Sequence, residues 1–182
     1  MRNLGDAAPL LLRSGPIGCV VEQRIGPAAR PVRAIAFDKS STMNWSLAWH
    51  QDRTICVKEQ IDTPGYRAWN RKNGAIHVEP PFDLLERMMT IRIHIDDVSN
   101  DNAPLKIALG SHRMGRVPED SVKARVSECK QICCLAQAGD VWLYSTPILH
   151  ASDRSLGVGR RRVLQLDYSA DELPDLLRFE MD

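Results

Sequence analysis

His50 and Asp52 stand two positions apart at the end of a strand-like run, Asn44-Trp45-Ser46-Leu47-Ala48-Trp49-His50. Side chains in a strand alternate faces, so His50 and Asp52 point one way and Gln51 the other. An imidazole and a carboxylate on one face are two-thirds of a metal site. His150, which follows the strand-like run Asp140-Val141-Trp142-Leu143-Tyr144, is the third candidate ligand. Two histidines and one carboxylate on one face of an octahedral ion leave three adjacent positions open, the arrangement of non-haem Fe(II) oxygenases.

Such a site needs elements that bring position 50 and position 150 together. Gly18–Ile25 reads as a strand ended by Gly26-Pro27, and Pro31–Asp38 as a second, before the strand that carries His50. Arg53–Glu59 continues with alternation. Residues 60–81 hold Pro64, Gly65, Gly74, Pro80 and Pro81 and show no period, so they are expected to form a long loop with a functional role as lid or substrate contact. Phe82–Met88 is a short helix entered through Pro81. Met89–Asp96 alternates most cleanly, with Ile91, Ile93 and Ile95 on one face and Thr90, Arg92, His94 and Asp96 on the other. Leu105–Leu109, Gln131–Leu135, Asp140–Tyr144 and Arg161–Tyr168 complete the strands, and Pro118–Glu128 is helical. Many short strands separated by turns, with few short helices, predict an all-β sandwich or barrel. A jelly roll suits ligands so far apart in sequence. The length, 182 residues, fits one domain, 1–182, with its core over about 17–168.

The composition narrows the function. With 24 basic and 23 acidic residues the formal net charge is +1, so no long-range field for nucleic acid or an anionic membrane surface is expected. Five cysteines without a C-x-x-C pair read as reduced thiols of a cytoplasmic protein. Met1–Asp6 lacks a signal peptide's charged-then-apolar layout, and no apolar run reaches membrane-spanning length. The expected partner is a small-molecule substrate.

With these residues placed, the chain resembles the phytanoyl-CoA dioxygenase family of Fe(II)/2-oxoglutarate oxygenases, from about Phe37 to Tyr168. Trp49-His50-Gln51-Asp52 matches its H-x-D element. Ile95-Asp96-Asp97-Val98, Asn102-Ala103-Pro104-Leu105 and Gly110-Ser111-His112-Arg113-Met114-Gly115 resemble its "LDD", "NGPL" and "PGSH..G" segments. Ala138-Gly139-Asp140-Val141 and Leu149-His150-Ala151-Ser152 follow as "GD" and "HxS", and Arg160-Arg161-Arg162 opens the last strand. Ala103 departs from the pattern, standing where the family usually has Gly.

The resemblance implies a double-stranded β-helix of cupin-like, jelly-roll type. It also implies Fe(II) on His50, Asp52 and His150, with 2-oxoglutarate as cosubstrate. A hydroxylation releasing succinate and CO2 would follow. Related halogenases replace the carboxylate with a small residue, so Asp52 favours hydroxylation or another oxidative outcome. Arg161 matches the position that pairs with the distal carboxylate of 2-oxoglutarate, and Ser152 is its hydroxyl partner. Arg161 alternates in phase with Val163 and Gln165, whereas Arg162 shares a face with Leu164 and Leu166. Lys39 and Asn44 are further candidates for the cosubstrate's 1-carboxylate or the substrate. Arg92 and His94 touch substrate if their face lines the interior, and His77 is a lid or substrate contact. His112 is expected to hold its own turn by side-chain hydrogen bonds. Two other readings compete: a cupin-type metal dioxygenase that does not use 2-oxoglutarate, which gives Arg161 and Ser152 no role, and a non-enzymatic β-sandwich binding protein, which has no use for three inward metal ligands.

Overall fold

The structure is a computed structural model that describes residues 8–12, 14–157 and 159–182; the reading of Met1–Asp6 lies outside the described residues. In chain order the elements are α1 (Ala8–Leu11), α2 (Pro16–Ile25), β1 (Arg30–Lys39), β2 (Leu47–His50), β3 (Ile55–Val57), β4 (Arg67–Lys72), β5 (Ala75–Glu79) and α3 (Phe82–Glu86). Then come β6 (Met89–His94), β7 (Leu105–Ala108), α4 (Val122–Ser127), β8 (Gln131–Cys134), β9 (Val141–Ser145), β10 (His150–Ser152) and β11 (Arg161–Ser169). Short 3-10 turns cover Ser111–Arg113 and Glu119–Ser121. No helix among the described residues is long and apolar enough to cross a membrane. The five cysteines form no disulfide.

The fold is the expected double-stranded β-helix. One four-stranded sheet has the order β1-β11-β6-β9, a second the order β2-β10-β7-β8, and a three-stranded sheet the order β3-β5-β4. The chain divides into two compact units. The first holds the described residues up to Ala34, Arg53–Met89 and Leu166–Asp182; the second holds Ile35–Asp52 and Thr90–Gln165.

In the first unit, Val32, Ile55, Val57, Val78, Leu84, Leu85 and Phe179 share one apolar core. Two sequence expectations change here. Gly18–Ile25 belongs to helix α2, not to a strand. Pro16 opens it, where its missing N–H leaves no bond unmade. Its buried side is Gly18 and Val21, with half-buried Ile25 following, a spacing of three and four. Residues 60–81 are also not one long loop, because β4 and β5 pair antiparallel within them. Asn73 and Gly74, at φ 50° and 81°, make the two-residue turn that asparagine and glycine tolerate best.

In the second unit Leu105, Ile107, Cys134, Tyr144 and Ile148 share one apolar core. On the other side of β7 and β10, Val122 and Val126 of α4 pack with Ala108, Val117, Leu149 and partly buried Trp49. This second layer supports β2 and β10 from behind.

Candidate metal centre

β2 and β10 pair antiparallel with His50 and His150 as register partners. Their ring centroids lie 4.3 Å apart. The His50 Nδ1–H donates to the Ala48 carbonyl at 2.8 Å and the His150 Nδ1–H to the Ile148 carbonyl at 2.9 Å. A carbonyl only accepts, so both rings carry a proton on Nδ1, which leaves Nε2 as the nitrogen able to ligate. Each Nε2 faces the Asp52 carboxylate, His50 at 3.9 Å from Oδ1 and His150 at 3.9 Å from Oδ2. All three donor groups lie within 4.8 Å of one another. Burial holds the His150 imidazole below its ordinary value, so it is kept neutral, the form that ligates. Two imidazole nitrogens and one carboxylate suit Fe(II) and similar divalent ions.

Sequence reasoning left Gln51 without a role beyond facing away. Its buried amide donates to the Gly115 carbonyl at 3.0 Å and the Pro147 carbonyl at 2.9 Å, and accepts from the Val117 N–H at 2.9 Å. Pro147 is three residues before His150, so one side chain ties the His50–Asp52 turn to the segment that presents the third donor. Ser111 adds a second tie, accepting from the Leu149 N–H at 2.8 Å while donating to the Ala108 carbonyl at 2.7 Å. Ser111, and not His112, therefore holds that turn; His112 Nδ1 has no partner. No sequence signal pointed to these backbone partners, because they come from three separate segments.

Beside the triad lies a group of buried cations. Arg161 is 2% exposed and donates through Nη1 to the Ala103 carbonyl. The Ser152 hydroxyl donates to the same carbonyl at 3.1 Å and accepts from Lys39 Nζ at 3.1 Å. Lys39 also donates to the Asp153 carbonyl at 2.7 Å and lies 5.0 Å from the Trp45 ring. Ala103 takes a left-handed φ of 51°, and its carbonyl accepts from both donors. Arg160 and Arg162 are exposed and pair with Asp38 and Asp96. The strand phase that separated Arg161 from its neighbours is thus the phase observed. Burial and the nearby Arg161 and Arg92 charges push Lys39 down to about 8.

The polar face of β6 is buried, with Thr90, Arg92 and His94 at most 5% exposed; on the other face Ile91 is buried as well, Ile93 is half-buried, and Ile95, just past the strand, is 47% exposed. Arg92 Nη1 donates to Gln165 Oε1 at 2.8 Å, and its guanidinium carbon lies 4.9 Å from the Phe37 ring centroid. Burial, with the Arg92 and Arg161 charges, pushes His94 down to about 4, so it is neutral. Burying an unpaired ion costs several kcal/mol even after relaxation, more than the roughly 1.5–3 kcal/mol that one buried leucine contributes. The hydrogen-bond acceptors of Lys39, Arg92 and Arg161 are all neutral groups. Asn44 spends its amide on the backbone of Ser155, donating to the carbonyl at 2.8 Å and accepting from the N–H at 2.9 Å. His77 belongs to the first unit, where its ring faces the Cys56 thiol at 3.5 Å.

The family model described as phytanoyl-CoA dioxygenase (PhyH) matches residues 21–163. No curated protein matches the chain. Several solved structures do. EctD from S. alaskensis with 2-oxoglutarate and 5-hydroxyectoine is 15% identical with a TM-score of 0.63, over 90% of this chain and 50% of that one. AviO1 from Streptomyces viridochromogenes Tue57 is 19% identical with a TM-score of 0.58, over 86% and 58%. HygX from Streptomyces hygroscopicus with nickel and 2-oxoglutarate bound is 13% identical with a TM-score of 0.53, over 83% and 60%. This chain spans about half to three-fifths of the length of those proteins, and at such identities the likeness is one of fold.

Proposed function

The chain belongs to the phytanoyl-CoA dioxygenase family, and from that footing we propose that it is an Fe(II)- and 2-oxoglutarate-dependent dioxygenase that hydroxylates a small-molecule substrate. The observation that carries this reading is the convergence of His50, Asp52 and His150, with both Nε2 atoms turned toward the carboxylate. When bound, Fe(II) with 2-oxoglutarate and dioxygen supplies oxidative decarboxylation of the 2-oxo acid to succinate and CO2, coupled to oxidation of the second substrate. The residues of the chain bind and orient. His50, Asp52 and His150 hold the metal, and Gln51 keeps the first two in register with the third. Arg161, Ser152 and Lys39 receive the distal carboxylate of 2-oxoglutarate. A planar guanidinium offers two parallel hydrogen bonds, and its burial excludes water from the pair. We propose one oxygenase domain, 1–182, for the whole.

Calorimetric titration of 2-oxoglutarate into the Mn(II)-loaded protein under anaerobic conditions tests the assignment. Removing one partner of a buried charge pair typically costs about 2–5 kcal/mol, roughly a 30- to 5000-fold loss of affinity. Arg161→Ala should show that loss while Mn(II) affinity changes little, and Arg161→Lys should recover part of it. Arg160→Ala and Arg162→Ala, which break exposed pairs, should be mild. Full affinity in Arg161→Ala would remove 2-oxoglutarate from this residue. If the parent protein binds a divalent metal but no 2-oxoglutarate, a metal dioxygenase without that cosubstrate is the reading left.

A further inference from the structure

Three cations are buried in the second unit, Lys39, Arg92 and Arg161, and no aspartate or glutamate among its described residues is buried with them. Charges of one sign are retained in a dry interior when something of the opposite sign arrives to meet them. The proposed cosubstrate brings two carboxylates. One of them would meet Arg161 and Lys39 through the cluster they share with Ser152, and the other would lie toward His50, Asp52 and His150. Arg92 is left over.

Its setting suits an anion of its own. Gln165 takes one terminal nitrogen of the guanidinium. Nε is buried without a partner. Nε and the second terminal nitrogen form the edge that a carboxylate or phosphate meets with two parallel hydrogen bonds. The Phe37 ring lies against the guanidinium and fixes its plane. His94, two positions along the same face, is 2% exposed with both ring nitrogens unpartnered. A neutral imidazole offers one donor there.

We propose that Arg92, with His94 beside it, receives an acid group of the molecule to be oxidised, so that the substrate is a small oxyanion-bearing compound. The inference rests on the oxygenase reading above, which assigns Lys39 and Arg161 to the cosubstrate. Carboxylate and phosphate share the chemistry that the guanidinium edge recognises.

The test uses the Mn(II)-loaded protein as parent, Arg92→Met, Arg92→Lys and Arg160→Gln as an exposed control. Affinity for 2-oxoglutarate is measured first by calorimetry. Thermal unfolding is then followed with 2-oxoglutarate saturating, while acetate or methyl phosphate is titrated against chloride at equal ionic strength. A ligand that binds the folded state alone raises Tm saturably. The parent and Arg160→Gln should show that rise with at least one probe, and which probe acts separates carboxylate from phosphate recognition. Arg92→Met should keep 2-oxoglutarate affinity within a few-fold but weaken the acid probe about 30-fold or more. Its ligand-free Tm should equal or exceed the parent's, because an apolar chain replaces an unpaired buried charge; a purely structural Arg92 would lower it. Should Arg92→Met not fold, Arg92→Lys is read instead: weaker acid binding is expected, since an ammonium makes no bidentate contact, and unchanged binding overturns the proposal. No saturable effect in the parent, or an effect that survives in Arg92→Met, also overturns it. If Arg92→Met loses 2-oxoglutarate as Arg161→Ala does, Arg92 serves the cosubstrate and the proposal fails alone. If the parent binds no 2-oxoglutarate, the oxygenase reading falls and takes this one with it.

Discussion

His50 and His150 face each other directly across β2 and β10, as register partners with ring centroids 4.3 Å apart. Two strands remote in sequence thus place two imidazoles without help from a loop. Asp52 lies just past the end of β2, and its position depends on the turn that Gln51 holds.

Gln51→Ala should therefore weaken metal binding without removing a ligand. Loss of a group that orients metal ligands typically costs about 10- to 100-fold in affinity. Mn(II) titration of the variant measures it. Gln51 also satisfies three buried backbone groups, so the metal-free Tm should fall as well. Unchanged metal affinity at a lowered Tm would make Gln51 a structural residue only.

His94 predicts an acid sensitivity. Its imidazole is pushed down to about 4 by burial first, then by Arg92 and Arg161, with Asp140 opposing. In the unfolded chain a histidine takes its proton near 6.5. Between those values the unfolded state binds the extra proton, so stability falls as pH drops from about 6.5 to 4. One such group contributes at most about 1.4 kcal/mol per pH unit, of order 3 kcal/mol across the window. Urea unfolding of the ligand-free protein as a function of pH should show the decline, and His94→Leu should flatten it. His150, lowered in the same direction by burial, leaves a residual slope.

What the sequence made legible, it did through periods. Alternation put His50 with Asp52 and separated Arg161 from Arg160 and Arg162, because a period of two is strict in a strand. The same period could not say which face of β6 is interior. Apolar patterning points to Ile91, Ile93 and Ile95, yet Thr90, Arg92 and His94 are buried as fully as Ile91, while Ile95 past the strand's end is exposed. Gly18–Ile25 was misread because Val20 and Val21 adjoin, and a short apolar run fits either element. The β4–β5 hairpin had a local signal, Asn73-Gly74, hidden among prolines and glycines. The ties made by Gln51 and Ser111 and the shared carbonyl of Ala103 join distant segments and leave no local trace.

Ala103 holds φ 51° with 2% exposure. A left-handed conformation costs an L-residue about 1–2 kcal/mol relative to glycine, part of which glycine loses again through its freer unfolded chain. Ala103→Gly should raise the unfolding free energy by about 0.5–1 kcal/mol. It should also keep the carbonyl that Arg161 and Ser152 share, so 2-oxoglutarate affinity should stay within a few-fold. Urea denaturation with an unchanged m-value is the measurement. A destabilised variant would mean that the alanine methyl packs better than its backbone is strained.

Lys39 predicts a proton linked to cosubstrate binding. Without ligand its ammonium is pushed down to about 8, by burial first, then by Arg161 and Arg92, with Asp153 opposing. Unfolded lysine keeps its proton to about 10.4. Between those values the unfolded state binds more protons, so the Lys39 contribution to ligand-free stability rises with pH. The arrival of a carboxylate reverses the balance, because an anion favours the ammonium form. Above pH 8, binding of 2-oxoglutarate should therefore take up close to one proton, and its affinity should fall by up to tenfold per pH unit. Below pH 7 no uptake is expected, since Lys39 is already charged. Calorimetry in buffers of different ionisation enthalpy reads the uptake directly. Lys39→Met should abolish the linkage and weaken binding at pH 7, whereas Arg160→Gln should keep both as in the parent. A parent that binds 2-oxoglutarate equally well at pH 7 and pH 9.5, with no proton taken up, would place Lys39 away from the cosubstrate and leave the distal carboxylate to Arg161 and Ser152.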